Sequence, residues 1–252
     1  MKNNFKGKII NTNYKFSNVI YQSKDMNGEI IALLPMKGHS ERVPNKNIKL
    51  FHGRPLFHAI TASLLKSRYI EKVVINTDDK FIKSNAKENF GEKVIIIDRP
   101  EQIRGDFVSM NDVINYDLSK LSDYDFFFQT HSTNPLLTAK TIDNACEKYF
   151  EIHDEFDSLF AVNRFQTRFY WKDGRPINHD PNKLIRTQDL PIIYEENSNF
   201  YIFSRQSFMN NGKKRIGKKP FLFETNKVES IDIDDQDDFI IAKQLYKLKN
   251  DE

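Results

Sequence analysis

The chain has 252 residues, 39% apolar and 29% charged, with 21 Phe and a formal net charge of +3. This length suits one large domain with an ample aromatic core, and the near-neutral charge excludes the concentrated basic footprint of a nucleic-acid binder. The single cysteine, Cys146, excludes an intramolecular disulfide and, with no Cys/His spacing around it, a structural zinc site.

That cysteine usage fits a reducing, cytoplasmic setting. There is no run of about 18 apolar residues, and residues 1–28 lack the apolar stretch of a signal peptide, so neither a membrane span nor export is expected. Residues 1–28 read as an extension ahead of the folded domain. At 29–35, Glu29-Ile30-Ile31-Ala32-Leu33-Leu34-Pro35 is an apolar run of buried-strand type. A polar loop follows, then Leu56, Ile60, Leu64 and Leu65 at helical spacing over 55–66, then a second buried strand at 73–77.

The alternation continues with a helix over 80–90, a strand at 94–97, a helix over 109–121, a strand at 124–129 and a helix over 139–150. Such a series predicts an α/β fold with a mostly parallel sheet, whose ligands bind beyond the carboxyl ends of the strands. Shorter strands are expected at 158–162 and 200–203, separated by a long polar stretch. A connection of that length usually forms a functional excursion. Residues 228–234 read as a last strand and 237–248 as a last helix.

The loop Pro35-Met36-Lys37-Gly38-His39-Ser40-Glu41-Arg42-Val43-Pro44-Asn45-Lys46-Asn47 lies directly after the first strand. Gly38 lets backbone approach a ligand, and Lys37, Arg42 and Lys46 can offset a triphosphate's charge. The loop matches neither the P-loop nor the GxGxxG pattern. On the residues alone, a phosphate site and a solvated basic loop both remain open.

In Ser230-Ile231-Asp232-Ile233-Asp234-Asp235, strand alternation places Asp232 and Asp234 on one face. Paired carboxylates of this kind suit Mg²⁺ shared with substrate phosphates, while an acidic helix start is the plainer alternative. The basic run 213–219, with Arg215 inside it, reads as a solvated loop face. His39 and His131 read as surface or hydrogen-bonded histidines. Phe169, Tyr170 and Trp171 read as a packing or dimer-contact cluster.

Taken together, the first loop, the Asn76-Thr77-Asp78-Asp79 run, Arg99-Pro100-Glu101, Gln129, residues 196–201 and the late Ile-Asp-Ile-Asp resemble the acylneuraminate cytidylyltransferases, relatives of the 3-deoxy-manno-octulosonate enzymes. The resemblance runs in order from about residue 29 to 248. It implies a Rossmann-like, three-layer (GT-A-like) nucleotidyltransferase domain over 29–252 that transfers CMP from CTP to an acidic sugar for surface glycan synthesis, with Mg²⁺.

Carried over residue by residue, the resemblance puts CTP over Pro35, Met36, Lys37, Gly38, Ser40, Arg42, Lys46 and Asn47, with Asp78 closing the crevice and Arg99 near the nucleoside. It puts Mg²⁺ on Asp232 and Asp234, and the sugar against Gln129, Arg186 and Asn197. Lys37 and Lys46 would hold the leaving pyrophosphate, and Asp234 is the candidate for assisting deprotonation of the attacking hydroxyl. The excursion over 164–198 would embrace a second copy in a homodimer, with Arg164 and Arg168 as candidate cross-subunit anion contacts.

Lys37 stands where the family usually has Arg, Glu41-Arg42 where it has Lys-Gly, and the segment 129–137 lacks the family's terminal Arg. These departures bear on the sugar rather than the nucleotide. An octulosonate or phosphonate acceptor, another nucleotide, and a catalytically silent nucleotide-binding homologue are the competing readings.

Overall fold

The computed structural model describes residues 29–38 and 43–250. The extension 1–28 and the loop residues His39, Ser40, Glu41 and Arg42 lie outside the described residues. The sheet begins with β1 (Ile30–Leu33), which is followed by a small hairpin of β2 (Leu50–Phe51) and β3 (Arg54–Pro55). Helix α1 (Phe57–Lys66), strand β4 (Ile70–Thr77), helix α2 (Lys80–Phe90), strand β5 (Val94–Asp98), helix α3 (Met110–Ser119), strand β6 (Phe126–Thr130) and helix α4 (Ala139–Ile152) follow in turn. The chain then runs through β7 (Ser158–Phe165), β8 (Ile193–Ser204), α5 (Arg205–Asn210), β9 (Pro220–Glu224) and α6 (Gln236–Asn250).

The seven-stranded sheet has the order β5-β4-β1-β6-β8-β7-β9. β1, β4, β5 and β6 pair in parallel, whereas β8 runs antiparallel to both β6 and β7. Each strand divides its side chains between two helical layers. Ile30, Ala32 and Phe128 pack with α1 and α4 on one face, and Ile31, Leu33 and Phe127 pack with α3 and α5 on the other. This is the expected three-layer α/β architecture.

Two segments depart from the sequence reading. Residues 228–234 do not form a strand: after a turn, 231–234 join no sheet, and the bond from Ile233 N–H to Thr133 O (2.9 Å) ties them to the chain just beyond β6. Ile233 supplies the reason, because it is fully buried with Phe51, Leu56, Leu136 and Phe239 in a separate cluster under α6. The alternating Ile and Asp therefore reflect burial against a helix and hairpin rather than a ladder. The true last strand is β9, parallel to β7 at the sheet edge. Its first residue, Pro220, suits an edge position.

β7 and β8 are also longer than predicted and pair out to Phe165 and Ile193. The excursion is thereby narrowed to the residues between them. Asn178 stitches it together, accepting from Phe169 N–H (3.0 Å) and donating to Thr167 O (2.7 Å) and Pro191 O (3.2 Å).

Candidate active site

β1, β4, β5 and β6 all end on the same side of the sheet, and the chain leaving them forms a crevice. From β1, Pro35 and Met36 are buried and their register is kept by Met36 N–H bonding to Asn76 O at 2.9 Å. Gly38 comes next, its N–H donating to Asp78 Oδ1 at 3.0 Å. A Cβ at Gly38 would lie 3.0 Å from both Cβ and Oδ2 of Asp79, so the two loops pass closely enough that a side chain here would push Asp79 aside. Lys37 is exposed and pairs with Asp106 (2.7 Å).

Asn47 ties the loop down. Its Nδ2 donates to Lys37 O (2.7 Å), and its Oδ1 accepts from Ser132 Oγ (2.6 Å) beyond β6. One residue earlier, Lys46 donates through Nζ to the carbonyl oxygen of Ile233. The basic loop and the acidic segment, 187 residues apart, therefore meet.

Asp232 and Asp234 flank the buried Ile233 and are both part-buried. Past them, Asp235 caps α6. Its Oδ1 accepts from the N–H groups of Asp237 and Asp238, and Asp238 Oδ2 accepts from Asp234 and Asp235 in return. Asp235 and Asp238 thus serve the helix; the candidate oxygen donors are Asp232 and Asp234, on either side of the residue whose carbonyl Lys46 bonds. That donor set fits Mg²⁺, which commonly takes one or two protein carboxylates and completes its shell with phosphate oxygens and water.

Arg99 is bonded back onto β4. Its guanidinium is buried and donates to Asn76 Oδ1 (2.7 Å) and Asn76 O (2.9 Å), while Asn76 Nδ2 donates to the fully buried Asp117 (2.5 Å). Arg99 thus holds the β5 exit against β4. Asn197 is likewise committed, donating to Asn163 Oδ1 (3.0 Å) and Thr225 Oγ1 (2.6 Å) and accepting from Asn199 N–H. Arg186 sits exposed on the excursion in a two-pronged pair with Asp189 (2.7 and 3.2 Å).

Gln129 is fully buried, and its Oε1 is occupied by Arg215 Nη1 at 2.5 Å. Its Nε2 donates to Thr130 O and lies 3.2 Å from His131 Nε2. Burial, followed by the charges of Arg215 and Lys46, pushes the His131 pKa down to about 3, so the ring stays neutral between two cations. Arg215, expected on a solvated loop face, therefore belongs to the crevice. A lone Arg among lysines was the signal available, since guanidinium is the usual choice for a part-buried cation.

The sequence profile of the cytidylyltransferase family matches residues 31–251. The chain belongs to that family. Among relatives of this cytidylyltransferase, the pseudaminic acid cytidylyltransferase of Campylobacter jejuni is 26% identical over 88% of this chain and 97% of its own. The CMP-N,N'-diacetyllegionaminic acid synthase of Legionella pneumophila is 29% identical over 88% and 98%. The N-acylneuraminate cytidylyltransferase of Escherichia coli is 25% identical over 89% of this chain and 54% of that longer protein.

Among solved structures, the cytidylyltransferase fold aligns with CMP:2-keto-3-deoxy-manno-octonic acid synthetase complexed with CTP at TM-score 0.63 and 14% identity, covering 88% of this chain and 100% of the other. It also aligns with 4-diphosphocytidyl-2C-methyl-D-erythritol synthase of Anaerococcus prevotii at TM-score 0.63 and 10% identity, covering 87% and 97%. At these identities the agreement is one of fold.

Proposed function

We propose that this cytidylyltransferase transfers CMP from CTP to a nonulosonic acid, a sialic-acid-like sugar, and releases pyrophosphate. The observation that carries the reading is the junction of the Gly38 loop with Asp232 and Asp234 through the Lys46–Ile233 bond. The names of the full-length relatives, which act on pseudaminic and legionaminic acids, support the acceptor class.

The sugar's hydroxyl oxygen forms a bond to the α-phosphorus while the bond from that phosphorus to the β-phosphate's bridging oxygen breaks, so the electron pair leaves with pyrophosphate. The hydroxyl proton passes to a base, and Asp234 is the candidate for that role. Lys37 and Lys46 offset the charge on the leaving group, and catalysis is largely positioning and charge stabilisation. Mg²⁺ held by Asp232 and Asp234 would neutralise phosphate charge and lower the pKa of a nearby hydroxyl.

A homodimer formed through the excursion belongs to the same reading. Trp171 (58% exposed) and Leu184 (92%) present apolar surface there beside Tyr170 and Ile185. A cytoplasmic site of action fits the single buried thiol, Cys146. No helix among the described residues is long and apolar enough to cross a membrane.

The product distinguishes this reading from its rivals. Incubation with CTP, Mg²⁺ and pseudaminic, legionaminic or N-acetylneuraminic acid is expected to give a CMP-glycoside with one phosphodiester ³¹P resonance and the matching mass. Product from UTP or ATP instead, or only with an octulosonate, would contradict it.

A further inference from the structure

We propose that Arg215 binds the carboxylate of the acidic acceptor, presenting to it the guanidinium that covers Gln129. The inference rests on the acidic-sugar reading above and names the residue that would read the acid's charge.

The chain aims Arg215 inward by local geometry. After α5, Gly212 and Lys213 take positive φ (68° and 60°), and Lys213 N–H closes onto Phe208 O at 2.9 Å. Arg215 N–H is then fixed by Asn111 Oδ1 of α3 at 3.1 Å. Lys213, Lys214, Lys218 and Lys219 face solvent, while Arg215 alone turns to the crevice.

There it lies with its guanidinium carbon 3.6 Å from the centre of the Tyr201 ring, and Tyr201 in turn donates its hydroxyl to Glu196. No carboxylate forms an ion pair with Arg215 among the described residues. Of a guanidinium's five N–H groups, Gln129 takes one, which leaves donors for a ligand. Burial lowers the Arg215 pKa from its usual value, and Tyr201 and Glu196 act against that shift. A cation so placed gains from an incoming anion.

The position selects which anion. Gly38 and Asp78 lie at the ends of β1 and β4, whereas Arg215 sits beyond β6, over β8. Gln129, which the resemblance sets against the sugar, has no exposed surface of its own, so the guanidinium is the group presented there. A planar fork matches a carboxylate in two-pronged fashion, and a neutral His131 beside it adds no competing proton.

The test uses Arg215→Gln and Arg215→Lys in the full chain, with KM measured separately for CTP and for the best nonulosonic acid, and again with that acid's C1 carboxamide. Arg215→Gln is expected to lower kcat/KM for the acid about 10- to 150-fold, the range set by a hydrogen bond to a charged group. KM for CTP should be unchanged, the carboxamide nearly indifferent, and Arg215→Lys intermediate; CTP binding by calorimetry checks that each variant is folded. Equal losses on acid and carboxamide, or a raised KM for CTP, would overturn the proposal. A wild type inactive with every nonulosonic acid would instead remove the acidic-sugar reading, and this ligand with it.

Discussion

Asp117 is fully buried and linked through the Asn76 amide to Arg99, and nothing in its sequence neighbourhood marks it. Burial pushes its pKa up to about 7, with the Asn76 hydrogen bond and the Arg99 charge pulling the other way. Because the folded-state pKa lies above the unfolded one, its contribution to stability is full below about pH 4 and is lost as pH rises through 7. Asp117→Asn should therefore gain Tm relative to the wild type as pH rises from about 4 to about 7 and hold that gain above it, as read by calorimetry across pH. A constant Tm difference across that range would contradict the shifted titration. Arg99 and Arg215 teach a related lesson. The sequence shows where a cation stands in the chain, but which one faces the crevice depends on neighbours brought from other strands.

At the scale of elements, the segment 230–235 brings the acidic residues to the basic loop, and it is held by the buried Ile233 side chain and by bonds of its backbone to Thr133, Lys46 and Asp238 rather than by a ladder. Ile233→Ala should cost about 2–5 kcal/mol, the usual range for emptying a packed aliphatic site. It should also raise the Mg²⁺ concentration needed for half-maximal rate, because the aspartates flank that residue. A lowered Tm with an unchanged Mg²⁺ requirement would show that Ile233 is only a packing residue. The alternation of β1, β4 and β6 was legible because their apolar runs are buried on both faces. The same logic misread 228–234, where alternation served α6 and the β2–β3 hairpin. It also passed over β9, whose Phe221 and Phe223 only lean against the core from the edge.

For the whole molecule, strand order brings the early basic loop beside the late acidic segment, and the excursion lies past β7 with its apolar residues outward. The double variant Trp171→Asp, Leu184→Asp is expected to run as a monomer in light scattering while the wild type runs as a dimer. A monomeric wild type at assay concentration would contradict the pairing. The family and the three-layer fold were legible in the sequence, whereas which excursion side chains stand uncovered depends on the fold. The proposed acid-dependent chemistry on CTP at Asp232 and Asp234 is read out by pyrophosphate release with Mg²⁺, CTP and a panel of nonulosonic acids. The wild type is expected to release pyrophosphate with at least one acid, and Asp234→Asn to lose about 10²–10⁴-fold with CTP binding retained. Full activity in Asp234→Asn, or release that ignores the acid, would contradict it.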